Sequence, residues 1–275
     1  MNLLSRSTIR TPNSLLGESR AGRVIPASFA TTQGKRMKLL VNDTETNGLP
    51  LFKDPSEDPR QPHIVQLAAM LVDEGPAPVT LAKMNRIIRP DGWAWDDSEG
   101  SEDKAFQAHG ITMERAMDEG VPEAEAIEEF HALQLQCDMR VAHNGSFDDR
   151  IYRIAYKRHG AGNIVSRQED GTPIWKPMSQ EERDIVADTY RMRPSFCTMK
   201  HTVNVLQLPP TDRMRGAGFG YKFKVPKLTE SFAHYFGFVF DGAHDAMNDV
   251  YACADVYFAI QRGITTPIYT AHPVE

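Results

Sequence analysis

Met37-Lys38-Leu39-Leu40-Val41-Asn42-Asp43-Thr44-Glu45-Thr46-Asn47-Gly48-Leu49 is the stretch that decides the fold. Its apolar first half begins a β-strand abruptly, and its second half carries two carboxylates two residues apart. On a strand, residues i and i+2 share a face about 6.6 Å apart. Asp43 and Glu45 therefore project together while Thr44 points away, which is half of a metal site. Two further stretches complete it: Ala142-His143-Asn144-Gly145-Ser146-Phe147-Asp148 and Ala243-His244-Asp245-Ala246-Met247-Asn248-Asp249. Together the three supply four carboxylates and one imidazole from distant parts of the chain. Each alone has an ordinary reading, as a solvated turn or as a helix start favoured by the helix dipole.

Outward from this stretch the pattern is strand, turn, strand, strand. His63 to Val72 is apolar enough for a buried strand, and Met84 to Arg89 reads as the third. Thr112 is placed to cap a helix, with His109 before it read as structural. Pro122 to Leu135 is helical, with Pro122 in the first turn and Ala126, Ile127, Phe130, Leu133 and Leu135 forming an apolar stripe. Met139 to Ala142 is a short strand into the second motif, and Ser146 to His159 is a helix with Phe147, Ile151, Ile154 and Ala155 inward and Asp148 in its first turn. Residues from about 160 to 194, rich in charge, Gly and Pro, read as an insertion forming a surface subdomain or flap. Phe196 to Met199 returns to the core. Arg213 to Lys224 mixes cations, glycines and aromatics in one loop, a composition that suits either backbone tracking with base stacking on single strands or a Gly-rich surface turn. Ala246 to Ile260 is an amphipathic helix with Met247, Val250, Tyr251, Ala254 and Phe258 at helical spacing.

The order and wording of the three motifs resemble the DEDDh branch of the proofreading-type 3'-to-5' exonucleases, the DnaQ-like superfamily. Its motifs read approximately Asp-x-Glu-Thr-x-Gly, His-Asn-x-x-Phe-Asp and His-Asp-Ala-x-x-Asp, and each is matched here. The resemblance spans about residues 37 to 262. It implies an α/β fold like ribonuclease H, a mixed central sheet flanked by helices, and stepwise release of nucleoside monophosphates from 3' ends. It also implies the division of labour: Asp43 bridging two ions, Glu45 and Asp249 on the nucleophile-side ion, Asp148 on the leaving-group side through water. His244 then takes the proton of the attacking water; with an ordinary pKa near 6.5, imidazole does this at neutral pH where an ionised carboxylate is too weak a base. In relatives the turn Thr46-Asn47-Gly48-Leu49 touches the terminal nucleotide, and Asn144 and Phe147 line the same pocket. Cys197-Thr198-Met199 and Tyr221-Lys222-Phe223-Lys224-Val225-Pro226-Lys227-Leu228 resemble a subset of bacterial and phage exonucleases.

Physical chemistry points the same way. Two like charges about 4 Å apart repel by about 4 kcal/mol at an effective dielectric near 20, so four converging carboxylates demand cations. An all-oxygen set selects Mg2+ or Mn2+ rather than zinc. The 275 residues carry a formal net charge of -6, which argues against tight binding to long duplex; a metal-loaded pocket, however, presents positive charge to phosphate. The Cys-Thr-Met and Pro-Lys-Leu resemblance favours single-stranded DNA as substrate. RNA is the alternative within the same fold, and an inactive nucleic-acid-binding or scaffold protein is the alternative of another class. His244-Asp245 also resembles the HD-type phosphohydrolases, but those are all-helical and need more histidines upstream. A DNA polymerase partner, if there is one, binds in trans.

Hydrophobic residues at 41% and charged residues at 25% are ordinary for a globular chain. No run of about 18 apolar residues suggests a membrane span. Cys137, Cys197 and Cys253 are widely spaced without a Cys-x-x-Cys pair, so a reducing compartment, the cytoplasm, is expected. Residues 1–36 are Ser-, Thr- and Arg-rich with Glu18 as their one acid, and are expected to form a flexible N-terminal extension. Met37 is a candidate start, and the acid-poor leader also resembles an organelle transit peptide. Residues 263–275 are read as a C-terminal tail.

Overall fold

A computed structural model describes residues 36–270 apart from 162, 169–172, 177, 219 and 221. The expectation of a flexible extension over residues 1–36 lies almost wholly outside these residues, as do Phe219 and Tyr221 of the expected basic and aromatic loop.

β1 (Lys38–Thr46), β2 (Ile64–Asp73) and β3 (Val79–Ile87) form first and pair antiparallel in that order. The third strand starts five residues earlier than its apolar part suggests. It is a sheet edge, where Val79 and Leu81 remain half exposed, so its outer half has no continuous apolar run to announce it. Three helices follow: α1 (Lys104–His109), α2 (Met113–Glu119) and α3 (Glu123–Gln134). Thr112 caps α2 as expected, its hydroxyl accepting from the Arg115 N–H. His109 is buried, and its Nδ1 accepts from the Ile111 N–H at 3.0 Å, a structural role. Leu135 departs from expectation: it is the residue that closes α3, and it is 58% exposed.

β4 (Met139–Ala142) enters the sheet parallel to β1 and is followed by α4 (Ser146–His159). A separate antiparallel hairpin, β5 (Asn163–Arg167) with β6 (Pro173–Lys176), precedes α5 (Gln180–Thr189). This stretch, read from sequence as a surface insertion, divides in two. The hairpin is its own small sheet, but Ala187 and Tyr190 are fully part of the core, where Tyr190 packs on Phe130, Tyr152 and Tyr156. β7 (Ser195–Cys197) pairs parallel with β4, and α6 (Thr198–Leu206), α7 (Asp212–Gly216), α8 (Leu228–Phe236) and α9 (Ala246–Arg262) complete the chain. α7 occupies part of what the composition suggested was loop.

The resulting five-stranded sheet, ordered β3-β2-β1-β4-β7, is mixed. All but the last residue of β2 are buried, which is why its sequence is a continuous apolar run rather than an alternating one. Alternation in β1 splits the core: Leu39 and Val41 pack with α8 and α9, Leu40 with α3 and α4. Helices thus cover both faces. Cys137, Cys197 and Cys253 are free thiols. Among the described residues no helix is long and apolar enough to cross a membrane.

Candidate active site

The three motifs converge where β1 ends, where β4 turns into α4, and where α9 begins. Asp43, Glu45, Asp148, His244 and Asp249 all line one cleft of about 440 Å³. Within it a carboxylate oxygen of Glu45, a ring nitrogen of His244 and a carboxylate oxygen of Asp249 lie within 4.8 Å of one another, a spacing that can hold a metal ion. Asp43 and Asp148 stand outside this trio: the charges of Asp249 and Glu45 act on Asp43, and that of Asp148 acts on Glu45.

Each residue is aimed by its backbone. Val41, Asp43 and Glu45 follow one face of β1, as period two requires. Thr44 points to the other face, where its hydroxyl donates to Asp148 Oδ1 at 2.9 Å and fixes the first turn of α4. Asn144 and His244, each just ahead of a helix, have φ of 62° and 70°. Asn tolerates this left-handed region through local hydrogen bonding; any side chain is uncommon there, and strain of this kind, on the order of 1–3 kcal/mol, collects at functional sites. The loop carrying His244 is pinned by Asn248, whose amide donates to the Gly242 carbonyl at 3.2 Å. Gly242, at φ 71°, has the Asn248 amide where a side chain would go.

Gln66 is the residue that sequence reading missed. It is 1% exposed in β2, directly opposite Glu45 in the ladder. Its Nε2 donates to Asp245 Oδ2 at 3.1 Å, and its Oε1 accepts from the Ala246 N–H at 3.1 Å. Asp245 in turn caps α9 by accepting from the Met247 and Asn248 N–H groups. One amide thus holds the start of α9, and with it His244 and Asp249, against the Glu45 end of β1. A single polar residue inside Ile-Val-Gln-Leu-Ala-Ala-Met-Leu-Val was the available signal.

His143 was missed as well. Its Nε2 faces the Pro226 carbonyl at 3.1 Å, an acceptor only, so Nε2 carries the proton and Nδ1 accepts from the Thr198 hydroxyl at 2.9 Å. Cys253 Sγ lies 3.7 Å beyond that hydroxyl. This chain joins the Cys-Thr-Met and Pro-Lys-Leu elements and seats the Val225–Thr229 wall of the cleft. Burial, only partly offset by the Pro226 carbonyl, holds the imidazole down at about 4, so it is neutral at physiological pH.

Of the residues expected to meet a terminal nucleotide, Leu49, Asn144 and Phe147 line the cleft. Thr46, Asn47 and Gly48 do not. Thr46 is buried with its hydroxyl on the Gly48 carbonyl, and the Asn47 amide oxygen accepts from the His63 N–H. They lock the turn that presents Leu49, which is 75% exposed.

The acids hold protons they would give up in water. Burial first, then the charges of Asp249, Asp148 and Asp245, pushes Glu45 up to about 8. Burial raises Asp148 to about 7 despite the Thr44 hydrogen bond. Asp249 rises to about 7 by burial, against the His244 N–H and with help from Asp245. Asp43 is raised by burial and then by Asp148, Asp249 and Glu45. Asp249 Oδ1 is buried and makes no hydrogen bond among the described residues. An unpaired carboxylate oxygen, within a cluster that cannot fully ionise alone, fits a divalent cation.

No protein-family model matches this chain, and no curated protein matches it. Its fold is nonetheless a known one: the mixed sheet flanked by helices is that of the ribonuclease H-like exonucleases. Similar solved structures include the zinc-bound form of E. coli exonuclease I with single-stranded DNA, at TM-score 0.51 and 19% identity over 83% of this chain and 42% of that one. A complex of the same enzyme with a dT13 oligonucleotide aligns at TM-score 0.51 and 16% identity, over 83% and 42%. A product-bound exonuclease I structure aligns at TM-score 0.50 and 18% identity, over 82% and 43%. The chain spans less than half the length of these structures.

Proposed function

We propose that this chain is a metal-dependent 3'-to-5' exonuclease of the DEDDh type that releases nucleoside monophosphates from single-stranded DNA ends. The observation that carries the reading is the convergence of Asp43, Glu45, Asp148, Asp249 and His244 on one cleft, with Asp249 Oδ1 unpaired. The fold shared with exonuclease I, whose complexes contain single-stranded oligonucleotides, supports the substrate class.

In this reading Asp43, Glu45, Asp148 and Asp249 would hold two Mg2+ or Mn2+ ions. Bound there, the ions supply Lewis-acid charge for the scissile phosphate. His244, exposed at the rim, accepts a proton from the attacking water as its oxygen bonds to phosphorus. The bond from phosphorus to the 3'-oxygen breaks, that oxygen takes a proton from solvent, and the exposed His244 returns its proton to solvent, so that one water is added across the bond. Leu49, Phe147 and Asn144 face the last nucleotide, and the stretch seated by His143, Val225 to Thr229, completes the lining. His244 belongs to the close trio, so its ring nitrogen also competes as a ligand, and a mixed nitrogen and oxygen set accepts Mn2+ or Zn2+ more readily than Mg2+.

Digestion of end-labelled single-stranded, duplex and mismatched DNA beside RNA tests the reading. The expected result is a ladder shortening one nucleotide at a time from the 3' end of single-stranded DNA, dependent on added metal. Internal cuts, shortening from the 5' end, or faster digestion of RNA contradict it.

A further inference from the structure

A second cavity, of about 400 Å³, lies beside the first and is not used by the chemistry above. The start of α4 lines both, with Phe147 and Asp148 in the first and Ser146, Asp149 and Arg150 in the second. The second cavity is lined by five cations, Arg140, Arg150, Arg153, Arg191 and Lys200, against one acid, Asp149. That is an unusual concentration in a chain of net charge -6. Three of the cations are committed: Arg140 to Asp149, Arg153 to Asp188, and Arg150 to Ser56 Oγ and the Asp54 carbonyl. Arg191 and Lys200 are exposed and have no hydrogen-bond or ion-pair partner among the described residues.

The cavity also has two unpaired groups. Asn42 is 2% exposed and its Oδ1 has no partner; Arg140 is 4% exposed and its Nε has none. The first is an acceptor and the second a donor, so a ligand reaching them must both give and take a hydrogen bond. Inorganic phosphate can do both through its remaining hydroxyl, but it fills only a small part of 400 Å³ and leaves the rest of the cavity without a partner. At the rim Phe52 is 68% exposed, leaving its ring free to stack. Free cations, an open aromatic ring and a polar edge are the components of nucleotide recognition on single strands.

We propose that this cavity is a second nucleotide site: phosphate against Arg191 and Lys200, base against Phe52, and a hydroxyl or base edge between Asn42 Oδ1 and Arg140 Nε. The choice of a nucleotide among phosphate esters rests on the exonuclease reading. The same chemistry comes from two sources, a nucleotide of the bound strand or a released nucleoside monophosphate.

Calorimetric titration in EDTA, which leaves the strand uncut and the acidic cleft without metal, tests it on the full chain. The probes are dAMP, a ten-residue oligo-dT and inorganic phosphate, each against wild type and the Arg191→Ala/Lys200→Ala variant, whose two positions are exposed. Binding of dAMP that the variant weakens at least 10-fold identifies the free nucleotide as source. Binding of oligo-dT alone, weakened likewise, identifies the strand. Equal affinity for inorganic phosphate and dAMP, equal binding by both proteins, or no binding of either nucleotide probe overturns the proposal. Cleavage is not read here: a protein that cuts no strand yet gives the expected pattern keeps this site and loses the exonuclease reading, and the reverse result loses this site alone.

Discussion

Gln66 Nε2 donates to Asp245 Oδ2 at 3.1 Å across 179 residues of sequence, and through this bond the centre of the sheet sets where α9 begins. Gln66→Leu keeps roughly the side-chain size and removes all three of its hydrogen bonds, to Asp245, to the Ala246 N–H and to Asn85 Oδ1. It leaves the buried Ala246 N–H without its partner, at a cost of about 1–3 kcal/mol, while the freed Asp245 oxygen is only part-buried. Denaturant unfolding is expected to show a loss in that range, and cleavage to fall at least tenfold as Asp249 and His244 lose their register. A variant as stable and as active as wild type shows that α9 is positioned by its apolar face alone.

His143 is expected to act through the wall it seats rather than by exchanging a proton. Because burial holds it near 4, it stays neutral throughout the pH range in which a nuclease is assayed. His143→Ala frees the Pro226 carbonyl and is expected to raise KM severalfold, with a smaller fall in kcat and an unchanged pH profile above pH 6. A profile that loses a titrating limb in the variant makes His143 a proton carrier instead.

Stability of the metal-free protein is expected to depend on pH in two opposite senses. Burial alone raises Glu123, but hydrogen bonds from His159 and His63 and the charge of Arg158 overcome it, so its carboxyl lies well below the usual range. Its contribution is present above the unfolded carboxylate pKa and is lost as pH falls toward the folded one. The four cleft acids are raised instead, Glu45 to about 8 and Asp148 and Asp249 to about 7. Their protonated forms favour the fold, and that advantage is lost as pH climbs through about 7 to 8. Because that loss begins near the unfolded carboxylate pKa, where the gain from Glu123 is already complete, melting in EDTA should show its maximum at about pH 4. Between pH 6 and pH 8.5 it should lose at least ~1 kcal/mol, or about 2–4 °C in Tm, and Mn2+ should restore the loss. A curve that rises to pH 8.5 in EDTA contradicts the crowding of these acids.

What the sequence disclosed follows from how local each feature is. Asp43 and Glu45 were legible because strand period two places them together whatever surrounds them. β4 and α4 were legible because Met139–Ala142 and Ser146–His159 carry their own pattern. Gln66, His143 and Asn42 act through partners, or through a cavity, that only folding assembles; Thr198 is 55 residues from His143 and Pro226 is 83. The turn chemistry that engages the Thr46 hydroxyl with the Gly48 carbonyl and the Asn47 amide oxygen with the His63 N–H is likewise not visible in the motif. Tyr190 looked like part of a surface segment since its charged and Pro-rich neighbours hide one aromatic ring that fills the core.

Uptake of Mn2+ by the metal-free protein at pH 7, followed by calorimetry in two buffers of different ionisation enthalpy, addresses the acidic cluster directly. Carboxyls that titrate near 7 to 8 must release protons when a cation takes their place, on the order of one to two per protein. Asp43→Asn should weaken that uptake at least 10-fold while leaving the fold intact by circular dichroism. Binding without proton release, or equal uptake by the variant, would mean that these carboxylates do not share a metal centre.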